Sequence, residues 1–241
     1  MNVIIDIGNT HVKLAVFDGD AIVFQKRVTV ATLEEELTAL YDRYLPENAI
    51  VSNVARLSQT LIGNISAGRS VHLLSHTSRI PFKNRYATPE TLGVDRMALA
   101  AAAANRFPGK NALVIDAGTC ITYDFLSAGN EYSGGAISPG VHMRYKALHT
   151  FTGNLPLLQP GDFSDVTGNS TESCIHSGIL NGIRNEIEGV IAQYKAKYKD
   201  LTVILTGGDA QFLSKRLKNS IFVDPNFLME GLNVVLEHNR N

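Results

Sequence analysis

The 241-residue sequence predicts an α/β protein of two similar halves, each a mixed sheet flanked by helices. Three observations carry that prediction. The chain opens on an apolar run ending in Asp6-Ile7-Gly8-Asn9-Thr10, and a second run, Val12 to Asp18, leaves it. The pair reads as a strand buried on both faces joined in a hairpin to a half-alternating strand. The pattern returns from Leu113 to Leu126 around Asp116-Ala117-Gly118-Thr119, with Asp6–Asp116 and Gly8–Gly118 both 110 residues apart. Hairpins come first and strands then alternate with helices, the order of a mixed sheet covered by helices.

Ala21 to Val30 reads as a third strand, and Thr32 with Glu35 as a capping box for a helix through about Tyr44. Ala49–Ser52 and Val71–Leu74 are short strands around an amphipathic helix, Arg56 to Ala67. Gly63 to Ser70 has the outline of a phosphate loop, but Arg69 stands where lysine is needed and a helix precedes it, so it is set aside. Arg79 to Pro89 is a loop leading through Glu90–Arg96 into a helix, Met97 to Asn105. The small side chains of Ala98 and Ala100–Ala104 suit close helix contact, within one chain or between two. Pro108-Gly109 then breaks the chain into domains of residues 1–109 and 110–241.

In the second half Glu131–Ile137 is a strand, Gly134–Gly140 a glycine-rich turn, Val141–Leu148 a helix and Asn154–Asn169 a loop. Ser170 to about Tyr198 is a long helix with a core stripe of Ile175, Ile179, Ile183, Ile187 and Ile191. Gly178, Gly182 and Gly189 each weaken it by roughly 1 kcal/mol relative to alanine, which points to close packing or to a ligand against the helix. Val203–Leu205 runs into a third turn, Thr206-Gly207-Gly208-Asp209, and Asp209–Leu217 and Asn226–His238 are helices.

Apolar content of 44%, charged content of 19% and a net charge of −1 describe a globular protein without the concentrated lysine and arginine that nucleic acid or an anionic membrane requires. Cys120 and Cys174 lack metal-ligand spacing and read as reduced cytosolic thiols. The first residues already form a strand, which leaves no signal peptide, and Met97–Ala104 is too short to span a bilayer. The histidines form no zinc-binding set and there is no G-x-S-x-G elbow. A cytoplasmic protein is expected.

The turns carry the chemistry. Each D-x-G turn offers a carboxylate, a glycine permitting close backbone approach, and hydroxyl and N–H donors suited to phosphate. The same pattern alone also fits an ordinary polar turn. Asp95 lies near a helix N-terminus, where it either caps the helix or stands with Arg96 at a pocket mouth.

Taken together the motifs resemble the sugar-kinase, actin and heat-shock-chaperone ATPase superfamily, and within it the type III pantothenate kinases. The ordered set is D-I-G-N-T at 6–10, Tyr86, G-V-D-R at 93–96, D-A-G-T at 116–119, G-G-A-I-S-P-G at 134–140, Thr171 and T-G-G-D-A at 206–210. One departure is Cys120, where the family usually has a small residue such as alanine. The resemblance implies two ribonuclease-H-like domains of the actin-like ATPase fold. It implies ATP-dependent phosphorylation of pantothenate, the first step toward coenzyme A, by a cytoplasmic homodimer using Mg²⁺ and a monovalent cation, K⁺ or NH₄⁺. Asp6, Ile7, Gly8, Asn9, Thr10, His11, Val12, Lys13, Thr119, Gly207 and Gly208 match the ATP positions, with Asp6 addressing Mg²⁺ through water. Tyr86, Gly93, Val94, Asp95, Arg96 and Thr171 match the pantothenate positions, Asp95 as general base, and Asp116 matches the K⁺ ligand. Other small-molecule kinases of the superfamily, or a non-catalytic nucleotide-binding regulator, are the rival readings.

Overall fold

Val3, Ile4, Ile5 and Ile7 have no exposed surface, so β1 (Asn2–Ile7) forms as a strand covered on both faces. The structure is a computed structural model and describes residues 1–8, 11–53 and 70–240. β1 pairs antiparallel with β2 (Val12–Asp18), and β2 antiparallel with β3 (Ala21–Val28). On its other edge β1 runs parallel to β4 (Asn48–Asn53), and β4 parallel to β5 (Ser70–Leu73). The order is β3-β2-β1-β4-β5. α1 (Leu33–Tyr44) joins this core through Leu33, Leu37, Leu40 and Tyr41.

The expected Thr32–Glu35 capping box does not form. The Thr32 hydroxyl turns back to Thr29, accepting from its N–H at 3.3 Å, and closes a box around the short 3-10 turn ahead of α1. The expected helix at Arg56–Ala67 and all but Ser70 of the set-aside loop lie outside the described residues. β6 (Lys83–Asn84) interrupts the Arg79–Pro89 loop. α2 (Val94–Arg106) starts three residues before the expected Met97, which puts Asp95 and Arg96 in its first turn.

The second half repeats the first. β7 (Ala112–Ala117) and β8 (Cys120–Leu126) form the antiparallel hairpin, and β9 (Glu131–Pro139) follows. After α3 (Val141–Thr150) and α4 (Thr171–Lys197), β10 (Thr202–Thr206) pairs parallel with β7. A short α5 (Ala210–Ser214) leads to β11 (Phe222–Val223), parallel to β10 and not foreseen from the sequence. The order β11-β10-β7-β8-β9 matches that of the first sheet strand for strand. The isoleucine stripe of α4 is buried in this core as expected. The glycine-rich stretch Gly134–Pro139 is strand, not turn. Gly135 lies so close to the Tyr123 carbonyl of β8 that a Cβ has no room, which is why glycine stands there.

The chain divides into two compact units: Met1–Pro108 with Asn130–Ser133 and Asn226–Asn241, and Gly109–Gly129 with Gly134–Pro225. β6 pairs parallel with the first residues of β9, Lys83 with Glu131 and Asn84 with Tyr132, inside the first unit. The last helix, α6 (Phe227–Asn239), also belongs there, although the expected second domain ran to residue 241. The reason is packing. Gly231 of α6 rests on the Ala98 carbonyl of α2, and Ala98 to Ala103 are all buried within the chain. The alanine-rich helix therefore meets a neighbour in its own chain, and its small face is not open to a second copy. Among the described residues no helix is long and apolar enough to cross a membrane.

Candidate active site

The first turn closes with the Gly8 N–H donating to the His11 carbonyl at 3.1 Å, in a four-residue loop between the paired Ile7 and Val12. Asn9 and Thr10 of this turn lie outside the described residues. Ile7 and Val12 have their side chains wholly in the core, so only their backbone can serve a ligand, while His11 is exposed. Asp6 is 5% exposed and stands opposite Lys13 in the antiparallel register and Ser52 in the parallel one. Burial pushes its carboxyl up to about 6; Lys13 opposes the rise, the charge of Asp95 adds to it, and the Ser52 hydroxyl offsets it a little. Ser52 was not singled out from the sequence. What brings it to Asp6 is the parallel pairing of β4 with β1, a register that no local sequence pattern fixes.

The charge of Asp95 reaches Asp6, so residues 93–96 lie in the neighbourhood of the first turn. The Asp95 carboxylate folds back onto its helix, where Oδ1 accepts from the Arg96 N–H at 2.9 Å. Gly93 makes this possible, since a Cβ there falls 2.5 Å from that oxygen. Val94 opens α2 and is half-buried. Arg96 is 5% exposed, with its guanidinium 5.8 Å from the centre of the Tyr86 ring. Tyr86 in turn lies 6.3 Å from the ring of buried Tyr132. Asp6, Lys13, Tyr86, Gly93, Asp95 and Arg96 all belong to the first unit. Both readings of Asp95 keep a physical basis: its side chain bonds the N–H of Arg96 in the first turn of the helix, and its charge reaches Asp6.

In the second unit the turn is one residue shorter. The Gly118 N–H donates to the Cys120 carbonyl at 2.9 Å, between the paired Ala117 and Ile121. Asp116 is half-buried opposite Thr122, and Thr119 is exposed. Gly207 has φ +96° and lies against the Asp116 carboxylate and the Ala117 carbonyl, so no side chain fits there. The Asp209 N–H donates to the Ala117 carbonyl at 2.9 Å, fixing the third turn to the second. Gly208 is exposed, with open space where a Cβ would stand. Thr171 opens α4 and is exposed. Gly140, which the sequence placed only in a glycine-rich turn, rests directly on the Gly118 and Thr119 carbonyls.

A model of the type III pantothenate kinase family matches residues 2–193. A type III pantothenate kinase of Christiangramia forsetii is 49% identical over 241 residues, covering 100% of this chain and 99% of that one. One of Bacteroides fragilis is 45% identical over 244 residues, covering 99% and 98%. Among solved structures, a candidate Baf family transcriptional activator from Campylobacter jejuni aligns with TM-score 0.66 at 20% identity, covering 98% of each chain. A glucokinase from an Antarctic psychrotroph aligns with TM-score 0.53 at 12% identity, covering 99% of each. The last two likenesses are of fold.

Proposed function

The chain belongs to the type III pantothenate kinase family, whose activity is ATP-dependent phosphorylation of pantothenate in coenzyme A biosynthesis, and we propose which of its residues perform that reaction. Phosphoryl transfer asks mainly for positioning and for neutralisation of charge. The turn of residues 6–13 holds the ATP phosphates through backbone N–H groups and Lys13. Thr119 and the backbone at Gly207 and Gly208 match the family's remaining ATP positions. Asp95 accepts the proton of the pantothenate hydroxyl. Buried Arg96, its orientation set by Tyr86, stabilises the negative charge, with Gly93 and Val94 beside it; Thr171 matches the family's further acceptor position.

The observation that carries this reading is the meeting of Asp6 and Asp95 in one unit, with burial raising the first. Two neighbouring carboxylates, one of them desolvated, favour added positive charge, so the site suits a cation. Asp6 would hold Mg²⁺ through water, where it supplies charge neutralisation at the phosphates. Asp116, facing a neutral Thr122 across the hairpin, suits a monovalent cation, K⁺ or NH₄⁺. We also place the protein in the cytoplasm as a homodimer, formed by a surface other than the alanines of α2. The test is a coupled assay with Mg²⁺-ATP, with and without K⁺, offering pantothenate against a panel of sugars. Turnover confined to pantothenate and raised by K⁺ is expected; turnover of a sugar instead moves the acceptor reading to another kinase of the fold.

A further inference from the structure

The second D-x-G turn is held between two glycines. Gly207 presses on Asp116 and Ala117 from one side, and Gly140 on the Gly118 and Thr119 carbonyls from the other. Gly140 also donates its N–H to the Thr119 carbonyl at 3.1 Å. Gly207 follows directly on β10, which is paired with β7 and so fixes it. Gly140 likewise follows directly on a strand, β9, which neighbours β8, and it opens into α3. A side chain holds this end of β9 as well. Arg144, one turn into α3, donates Nε to the Pro139 carbonyl at 2.9 Å and Nη2 to the Ser138 hydroxyl at 2.9 Å. The same guanidinium donates to Glu186 Oε2 of α4 at 2.5 Å, and Glu186 Oε1 accepts from the Tyr123 hydroxyl of β8 at 2.9 Å. Arg144 and Glu186 keep only 21% and 27% of their side-chain surface exposed.

We infer that Arg144, anchored by Glu186, is a positioning residue for the nucleotide and cation turn at 116–119, acting through residues 138–140. A planar fork on a charged anchor restrains this segment in orientation as well as in distance. Burial alone raises a carboxylate, yet the hydrogen bonds from Arg144, Ser138 and Tyr123 hold Glu186 below its ordinary range, so the anchor stays ionised at working pH. Loosening it lets Gly140 retreat and the Thr119 carbonyl shift, which misplaces Thr119 and Asp116 together. The inference rests on the roles proposed for those two residues.

The experiment is kinetic. Arg144→Gln removes the charge and the fork. Its KM for ATP and its half-activating K⁺ concentration should each rise about tenfold, as expected for loss of a charged hydrogen bond, while KM for pantothenate stays within about twofold. Arg144→Lys keeps the charge without the fork and should fall between. If the pair acts as one unit, Arg144→Gln/Glu186→Gln is no worse than Arg144→Gln alone. An unchanged ATP and K⁺ response in Arg144→Gln overturns the inference, as do additive losses in the double variant. Should Arg144→Gln not fold, Arg144→Lys and Glu186→Gln give the same readout. Asp116→Asn and Thr119→Ala are measured alongside. If neither alters the ATP or K⁺ response, the reading of the turn fails and this inference with it; if both do and Arg144→Gln does not, the inference fails alone.

Discussion

The two D-x-G turns share a strand order and a spacing, and they differ in what faces the carboxylate. Asp6 is buried, with Lys13 across the hairpin and Asp95 near enough to raise its pKa. Asp116 is half-buried, with Thr122 across the hairpin and glycines pressed on its turn. The first turn carries its own fixed cation; the second has a neutral residue at the same place in the ladder. The two similar turns thus have different electrostatic surroundings. On the proposed reading, Lys13 would supply permanent charge for phosphate, and Asp116 would offer a place where a solution cation can do so. The same reading puts the acceptor chemistry with the first turn, where the charge of Asp95 reaches Asp6.

The largest effect expected from this division is at Asp95. Asp95→Asn keeps the hydrogen bond to the Arg96 N–H, because asparagine caps as well as aspartate. It removes charge and basicity. We expect kcat to fall by about 10²–10⁴-fold with KM for ATP little changed. If Asp95 only caps the helix, kcat stays near wild type; the melting temperature, measured on the same sample, shows whether the fold has moved.

A smaller effect is expected in the second turn. Asp116→Asn should abolish the response to K⁺ while leaving a basal rate. Thr122→Lys copies into the second hairpin the arrangement of Lys13 opposite Asp6, so its activity should become nearly independent of K⁺. Rates compared in K⁺ and Na⁺ for the two variants decide this. A Thr122→Lys enzyme that needs K⁺ as wild type does would show that the facing residue is not what separates the turns.

Much of this division could be read in the sequence and some could not. The 110-residue offset showed the repeat because each hairpin is local and its apolar runs are unbroken. The isoleucine stripe of α4 was equally plain, because one helix face sees one core. The Asp6–Ser52 pairing depends on a parallel register 46 residues away, which no local pattern fixes. The Arg144–Glu186 contact spans 42 residues between two helices whose contact the motifs do not encode. The glycines at 134 and 135 read as a turn because close strand approach and tight turns ask for the same residue. Thr32 read as a cap because the competing partner, Thr29, lay outside the box pattern.

The buried carboxyl of the first turn should also show in stability. Asp6 has its folded pKa raised from 3.8 to about 6. A raised carboxyl favours the fold while protonated. That contribution is fully present below about pH 4 and is lost as pH rises through about 6. Two pKa units correspond to about 3 kcal/mol by pH 7. In the absence of nucleotide and divalent cation, Asp6→Asn should therefore be more stable than wild type at pH 7.5, and the advantage should shrink toward pH 4. Urea titrations at both pH values test it. A constant difference across that range would place the origin of the effect elsewhere.

The smallest effect expected separates the halves by their helices. α1, which precedes β4, contains no glycine, whereas α4, which precedes β10, contains Gly178, Gly182 and Gly189. The sequence left two explanations for them, close packing or a ligand. Within the chain neither is needed for sterics, because a Cβ on any of the three meets nothing within 4 Å. They are spaced so that all three lie on one face, to one side of the isoleucine stripe. In an isolated chain, Gly182→Ala should stabilise α4 by about 0.5–1 kcal/mol, since alanine costs less backbone entropy in a helix. A homodimer would give the opposite sign with this face as its contact surface, because each added methyl would then keep two backbones apart. Chemical denaturation and sedimentation of Gly182→Ala are read together. Higher stability with the dimer intact leaves the face to solvent. Lower stability with dissociation assigns to these glycines, and not to the buried alanines of α2, the close approach of two copies.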